Sequence, residues 1–588
     1  MNAWPGGTAI LALTRDGLDL ARRLAADLPG AVCHDARGPG AAARIARCFA
    51  DGQAVIGICA AGILIRAVAP LLADKRAEPP VVAVAEDGSA VVPLIGGHHG
   101  GNALARHLAA RLGIAPAITT AGDLRLGIAL DEPPPGWRLA DLARAKQAAA
   151  RLLAGAGAHI DGDAPWLAGL PAPGADPVEI RVTTRRASPD DPALVYHPAA
   201  LALGVGCERG CPPEALIDLA RTVLSDAGLA PAALACVASI DLKSDEPAVH
   251  AVAAHFGVPA RFFPATRLAQ ETPRLATPSE AVFRATGCWG VAEAAALAAA
   301  GADAVLVRPK RKSARATCAV AEASMPFDGA AIGTPRGRLT IVGIGPGAAE
   351  WRTPEAGAAL AAAEHLVGYG LYLDLLGPLA DGKIRHETGL GDETGRARRA
   401  LDLAAEGAAV ALVSSGDAGI YGLASLVFEL LDREDRPDWR RIDLAVAPGL
   451  SALQAAAARA GAPLGHDFCA ISLSDLLTPW AAIEARLQAA AAADFVVALY
   501  NPRSQRRSHQ LDRAKAIFLA HRPPETPVLL ARNLGRAEES VTVIDLAALD
   551  PAAVDMLTLV LIGASTTRRV AGMRWIYTPR GYAGKSRS

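Results

Sequence analysis

"AVALVSSGDAGIYG", residues 409–422, runs a wholly apolar segment into a loop that packs Gly416, Gly419 and Gly422 around one aspartate, Asp417. A segment that is apolar throughout, rather than alternating, marks a strand covered on both faces, the habit of parallel sheets flanked by helices. The same pattern recurs on both sides: "RLTIVG", "IDLAVAPG", "DFVVALYNP", "TPVLLARN" and "LTLVLIG" each read as buried strands, several separated by Ala-rich helical stretches. Strands alternating with helices define an α/β region, and strand carboxyl ends in such a sheet gather on one side. "GIGPG", "SSGDAGIYG", "APGLSA" and "LYNPRS" are therefore expected to converge on one ligand, with bare glycines letting backbone N–H and C=O groups approach it. Asp417 offers an anionic contact for a hydroxyl or a positive centre.

The first loop raises a dinucleotide site, because Gly343, Gly345 and Ala348 satisfy G-x-G-x-x-G/A. Against it, Pro346 lacks the N–H that a phosphate cradle uses, and Glu364 precedes the next extended run instead of closing it. A nicotinamide-dependent oxidoreductase would rest on that one loop.

Working outward, the 588 residues exceed one hydrophobic core and suit several α/β domains. We expect domains at 1–130, 131–197 and 198–323, a linker at 324–336 through "SMPFDGAAIGTPRG", and a two-lobed domain at 337–582. In the first, Asp87-Gly88 between two apolar runs signals a hairpin. In the second, Pro and charged clusters such as "DEPPPG" and "RRASPDDP" interrupt short pieces, which suggests mobile edges. A net charge of −1 leaves no basic field for nucleic acid, and no apolar stretch is long enough for a membrane span, so the expected partner is a small molecule and the expected location cytoplasmic. Of nine cysteines only Cys207 and Cys211 are close, in a spacing that is neither a zinc knuckle nor a redox C-x-x-C, and no metal site is expected.

In their order, "VGIGPG", "SSGDAGIYG", "APGLSA", "LYNPRS", "ARNLGRAEES" and "LIGASTTR" resemble the tetrapyrrole (class III) S-adenosylmethionine methyltransferases of corrin biosynthesis, most closely those that methylate precorrin-3B at C(17). The resemblance covers about residues 337–582 and implies two α/β lobes with S-adenosylmethionine between them, and C(17) methylation coupled to ring contraction. Carried over residue by residue, it implies cofactor contacts at Pro346, Ser415, Gly416, Asp417, Ile420, Ser451, Ala452, Asn501, Asn533 and Thr558. Arg503, Arg532 and Arg536 are candidates for substrate carboxylates, since a guanidinium matches a carboxylate bidentately. Their plainer reading is a solvated surface arginine. Expected partners are the tetrapyrrole substrate, a second copy of the chain, and transient contacts with other corrin-pathway enzymes.

The first 322 residues resemble the CbiG family of corrin biosynthesis, whose members open the δ-lactone of cobalt-precorrin-5A and release acetaldehyde. The matching stretches include "VVAVAEDGSAVVPLIGGHHGGNALARHLA", "ITTAGD", "GVGCERGC", "ASIDLKSDEP" and "PSEAVFRATGCWGVAEAAAL". His98 and His99 in "GGHHGG" are candidate general bases, against a plain packing role at the turn; Lys243, Asp245, Glu246 and Glu280 are further polar groups near strand ends. The alternative for this half is a non-catalytic module that binds tetrapyrrole intermediates.

Overall fold

The computed structural model describes residues 7–582 apart from 27, 29, 39, 75–77, 120–124, 189, 390 and 505–508, and only the backbone at 98 and 99. The chain divides into two compact units, Met1–Gly333 and Thr334–Ser588.

The front unit carries three sheets. The first orders its strands Ala31–Asp35, Thr8–Ala12, Ala54–Ile58, Val81–Val84 and Val91–Ile95; the first four are parallel and the last is antiparallel. Val91–Ile95 turns back through the Asp87-Gly88 hairpin, where Gly88 takes φ +74° and Ala85 and Ala90 pair. Its far end, residues 96–101, therefore opens at the amino-terminal edge of the parallel strands.

Residues 131–197, expected as a small middle domain of short helical or extended pieces, build a four-stranded sheet with the helix Leu142–Leu153 against it. Trp166 packs edge-on to Trp137 and Tyr196, and the Tyr196 hydroxyl donates to the Leu130 carbonyl, so large aromatics offset the small size of this core. The third sheet sets Ala260–Phe263, Leu234–Ile240 and Leu201–Cys207 in parallel and closes with the antiparallel pair Ala316–Glu322 and Val305–Lys312. The helix Val291–Ala300 packs across it, and Gly204 permits this, because a Cβ there would lie 1.9 Å from the Ala292 carbonyl.

The expected linker is anchored rather than free. Phe327 N–H donates to the Ala199 carbonyl (3.1 Å), and the buried Arg261 guanidinium donates to the carbonyls of Ile332 and Gly333. Arg336, three residues on, is tied to the carbonyls of Arg441 and Ile442. Gly and Pro content suggested a spacer there; Arg261 satisfies two of its carbonyls, and its own Arg336 donates to the carbonyls of Arg441 and Ile442.

In the back unit the first lobe is an all-parallel sheet ordered Ile384–Thr388, His365–Tyr369, Ala409–Ser414, Arg338–Gly343, Asp443–Ala447. The second lobe is mixed: Phe468–Ser472 and Val496–Tyr500 run parallel, while Thr558–Ile562, Pro527–Arg532 and Ser540–Asp545 follow with antiparallel pairings. Both are filled by the apolar runs read from the sequence, with Leu339, Ile341, Leu412, Val497, Leu499, Val560 and Ile562 fully buried. None of the helices among the described residues is long and apolar enough to cross a membrane.

Candidate functional site

Three neighbouring parallel strands, Ala409–Ser414, Arg338–Gly343 and Asp443–Ala447, end side by side, and their loops pack on one another before they meet any ligand. Gly345 and Gly416, both left-handed (φ +78° and +68°), exchange backbone hydrogen bonds of 3.1 and 2.9 Å. A Cβ on Gly449 would lie 2.1 Å from the Gly416 carbonyl, and one on Gly343 would lie 2.8 Å from the Gly449 nitrogen. The glycines thus permit backbone to touch backbone where three loops cross. Asp417 locks that crossing: one carboxylate oxygen accepts from Gly419 N–H (2.8 Å), the other from Gly449 N–H (3.0 Å). The aspartate expected to face a ligand spends a lone pair of each oxygen on holding two loops together.

The second lobe reaches the same place from the other side. Arg536, at the turn after Pro527–Arg532, donates to the Pro346 carbonyl (2.7 Å) and to the Ser415 hydroxyl (3.1 Å). Burial pulls its guanidinium below the ordinary arginine value, with Tyr372 opposing. Gly347 and Gly535 meet face to face, since a Cβ on Gly347 would lie 2.7 Å from the Gly535 carbonyl. Arg536 is therefore a clamp on the glycine loops.

Between these loops lies a cavity of about 220 Å³. Pro346, Ser415, Gly416, Asp417, Ile420, Ser451, Ala452, Asn501, Asn533 and Arg536 all line it, joined by Tyr372, Tyr421, Tyr500, Met556, Leu557 and Leu559. Tyr421, Asn501 and Asn533 hold left-handed φ of +52°, +51° and +52°. Non-glycine residues avoid that region, most of all an aromatic one, and such strain concentrates at ligand sites. Each is held in place: the Tyr421 hydroxyl donates to the Ala470 carbonyl (2.9 Å), Asn501 Nδ2 to the Ser472 hydroxyl (3.1 Å), and Asn533 N–H to the Leu557 carbonyl (3.1 Å). Ser451 caps the helix Ala452–Ala460 in a reciprocal box with Gln454, and the Tyr500 hydroxyl, raised by burial, accepts from Leu453 N–H. The amino end of that helix borders the cavity and favours negative charge there.

Three expected residues lie elsewhere. Thr558 and Arg532 both turn to Asp555, at 2.7 Å each, and Arg503 donates to the Pro551 carbonyl. Asp555, held below its ordinary value by the Thr558 hydroxyl and Arg532 against the opposing pull of burial, fixes the start of Thr558–Ile562 so that Met556, Leu557 and Leu559 line the cavity. Sequence reading singled out none of Asp555, Tyr372, Tyr421 and Tyr500, although Tyr421 and Tyr500 lie inside the quoted loops "SSGDAGIYG" and "LYNPRS"; Asp555 and Tyr372 stand outside every quoted motif.

In the front unit, the side chains of His98 and His99 lie outside the described residues; their backbone forms a π-helical turn, Gly97–Gly101, ahead of the helix Asn102–Leu112. The loops "GCERGC" and "DLKSDE" meet, but to fasten each other: Glu246, 1% exposed, accepts from Gly210 N–H and from Lys243, while Arg209 pairs with Asp245. Glu280 is an exposed ion pair with Arg284. The acid that matters in that segment is Glu293, buried in "VAEAAAL", which accepts from the N–H groups of Ala276, Thr277 and Lys310 and from the Thr277 hydroxyl. Its isolation among alanines was the available signal. Burial pushes the Cys207 thiol up to about 11, and among the described residues no group of three or more His, Cys, Asp or Glu is placed to hold a metal.

Three families match the chain: Tetrapyrrole (Corrin/Porphyrin) Methylases over residues 338–550, Cobalamin synthesis G N-terminal over 43–123 and Cobalamin synthesis G C-terminus over 201–321. The Cobalamin biosynthesis protein CobIJ of Mycobacterium tuberculosis is 45% identical over 258 residues, 43% of this chain and 50% of that relative, so the chain spans about half the length of that protein. The Precorrin-3B C(17)-methyltransferase of Sinorhizobium sp is 45% identical over 253 residues, 42% of this chain and 99% of that relative. Among solved structures, that of the methyltransferase CobJ is 44% identical and covers 41% of this chain and 100% of its own, with a TM-score of 0.39.

Proposed function

Because this chain belongs to the Tetrapyrrole (Corrin/Porphyrin) Methylases, an S-adenosylmethionine-dependent family, we propose that residues 337–582 methylate a corrin precursor, precorrin-3B or cobalt-factor III, at C(17) with ring contraction. We further propose that the front unit opens the lactone of cobalt-precorrin-5A with release of acetaldehyde. The observation that carries the first reading is the cavity where glycine loops of one lobe face Asn501, Asn533 and Arg536 of the other.

Its donor set fits S-adenosylmethionine. Exposed backbone at the crossed glycines suits a flat heterocycle, the amides of Asn501 and Asn533 suit hydroxyls, and the amino end of Ala452–Ala460 suits a carboxylate. Pro346, Ser415, Gly416, Asp417, Ile420, Ser451, Ala452, Asn501 and Asn533 would hold it. When bound, the cofactor supplies an activated methyl group on a sulfonium. The protein's work is then to fix the approach and keep water out. Arg536 holds the Pro346 and Ser415 loops in register, and the left-handed Tyr421 is braced through Ala470. Ile420, Tyr421, Met556 and Leu557, each well exposed at the cavity mouth, give an apolar seat for a flat macrocycle. All nine cysteines are free thiols, which fits a reducing cytoplasm.

Incubating the full chain with S-adenosylmethionine and either precorrin-3B in air or cobalt-factor III without oxygen, followed by mass spectrometry, tests the assignment. Gain of one methyl group with a contracted ring is the expected product; tight cofactor binding with neither substrate altered would overturn it.

A further inference from the structure

A cavity of about 540 Å³ opens in the front unit at the amino-terminal edge of its parallel strands. Thr8, Ala54 and Pro80, where three of those strands begin, form its floor. Its lining is largely apolar and includes Leu104, Pro134, Trp137 and Trp166. Mostly apolar clefts of this size with a few polar groups are the usual form of a small-molecule site. Arg106 also lines it, and two further polar features stand out. The Trp166 indole N–H is buried without an acceptor among the described residues, a donor that a ligand oxygen would satisfy. The other is Glu132, whose carboxylate accepts from Gly100 N–H in the glycine turn.

The backbone holds Glu132 at that spot. Leu130 receives the Tyr196 hydroxyl, Glu132 N–H reaches the Ala129 carbonyl (3.2 Å), and Pro133, Pro134 and Pro135 follow with fixed φ. A stiff segment thus carries one carboxylate to an apolar cleft, beside the same "GGHHGG" turn that the sequence singled out.

We propose that this cleft is the lactone-opening site of the front unit and that Glu132 is its general base. The assignment rests on the hydrolase reading of that unit. The cleft seats the lactone-bearing edge of a tetrapyrrole. Glu132 takes one proton from water as the water oxygen bonds to the acyl carbon. The bond from that carbon to the ring oxygen then breaks, its electron pair stays on the departing oxygen, and Glu132 returns the proton there. One water is consumed, and a carboxylic acid and an alcohol result. Acetaldehyde leaves when that alcohol loses its O–H proton, its C–O bond becomes C=O, and the C–C bond to the macrocycle breaks with its electron pair passing to the conjugated ring, which takes up a proton.

The test uses the full chain with cobalt-precorrin-5A and measures acetaldehyde. Glu132→Gln keeps an acceptor for Gly100 N–H yet cannot take a proton; release should fall about 10²–10⁴-fold, while methyl transfer by the back unit stays at the parental rate. Glu132→Ala should fall likewise and regain part of its rate with added formate. Parental acetaldehyde release from Glu132→Gln would overturn Glu132 as base, as would loss in a folded Glu132→Ala chain that formate does not rescue. No acetaldehyde from the parent chain would instead overturn the hydrolase reading.

Discussion

The glycine turn at 96–101 and the glycine loops at 343–347 and 415–419 follow apolar strands and look alike in sequence, yet they stand at opposite edges of their sheets. In the back unit the preceding strands are parallel, so the loops meet at the carboxyl edge and crowd together. In the front unit the preceding strand returns antiparallel from a hairpin, so its turn opens at the amino edge, beside the proline segment. A glycine-rich strand end therefore signals exposed backbone; strand direction decides what it faces.

The sharpest way to break this contrast is Gly449→Ala. The new Cβ would meet the Gly416 and Gly343 carbonyls at 2.1 and 2.7 Å, and backbone cannot yield as a side chain does. The back unit should lose about 3 kcal/mol, with S-adenosylmethionine binding lost in calorimetry. Gly97→Ala, whose Cβ would sit 3.2 Å from the Asn102 side-chain oxygen, should cost no more than about 0.5 kcal/mol. Equal effects would erase the distinction between the two kinds of loop.

Burial alone would raise the Glu293 carboxyl, but the N–H groups of Lys310, Thr277 and Ala276 and the Thr277 hydroxyl hold it below its ordinary value. A depressed folded value means the stabilisation is present at neutral pH and is lost as pH falls below about 4. Glu293→Gln should destabilise the front unit by about 2–3 kcal/mol at neutral pH and flatten its acid dependence, leaving the back unit's melting unchanged. A parallel loss in both units would mean they do not melt independently.

Arg536→Met removes the donors to Pro346 and Ser415 while keeping bulk. Cofactor affinity should drop about 10–100-fold, the equivalent of about 1.5–3 kcal/mol. If only the tetrapyrrole KM rises, the arginine binds substrate after all. Asp417→Asn leaves one acceptor oxygen for the two N–H groups of Gly419 and Gly449, and should weaken cofactor binding by about 1 kcal/mol, several-fold, in calorimetry.

Much of this was legible because it is local. Apolar runs, the Asp87-Gly88 hairpin and the ordered loops at 343, 414 and 447 each depend on a few adjacent residues, and ten of the thirteen back-half site candidates line one cavity. Thr558 and Arg532 bond Asp555, and Arg503 bonds the Pro551 carbonyl, tertiary contacts that no single motif spells out, while Met556, Leu557 and Leu559 line the cavity. In the linker, Gly and Pro mark a lack of regular structure and say nothing of whether Arg261 will bind its carbonyls or Arg336 those of Arg441 and Ile442.

Sequence by itself determined the α/β class, the buried strands and the positions where only glycine is tolerated, since those follow from side-chain period and backbone sterics within short segments. Tertiary structure alone decided that Asp417 ties two loops, that Arg536 clamps one lobe to the other, and that Glu132 sits in an apolar cleft 32 residues from the glycine N–H it accepts. Each of those depends on which strand lies beside which and in what direction, a choice made by the packing of the whole sheet and written in no single stretch of chain.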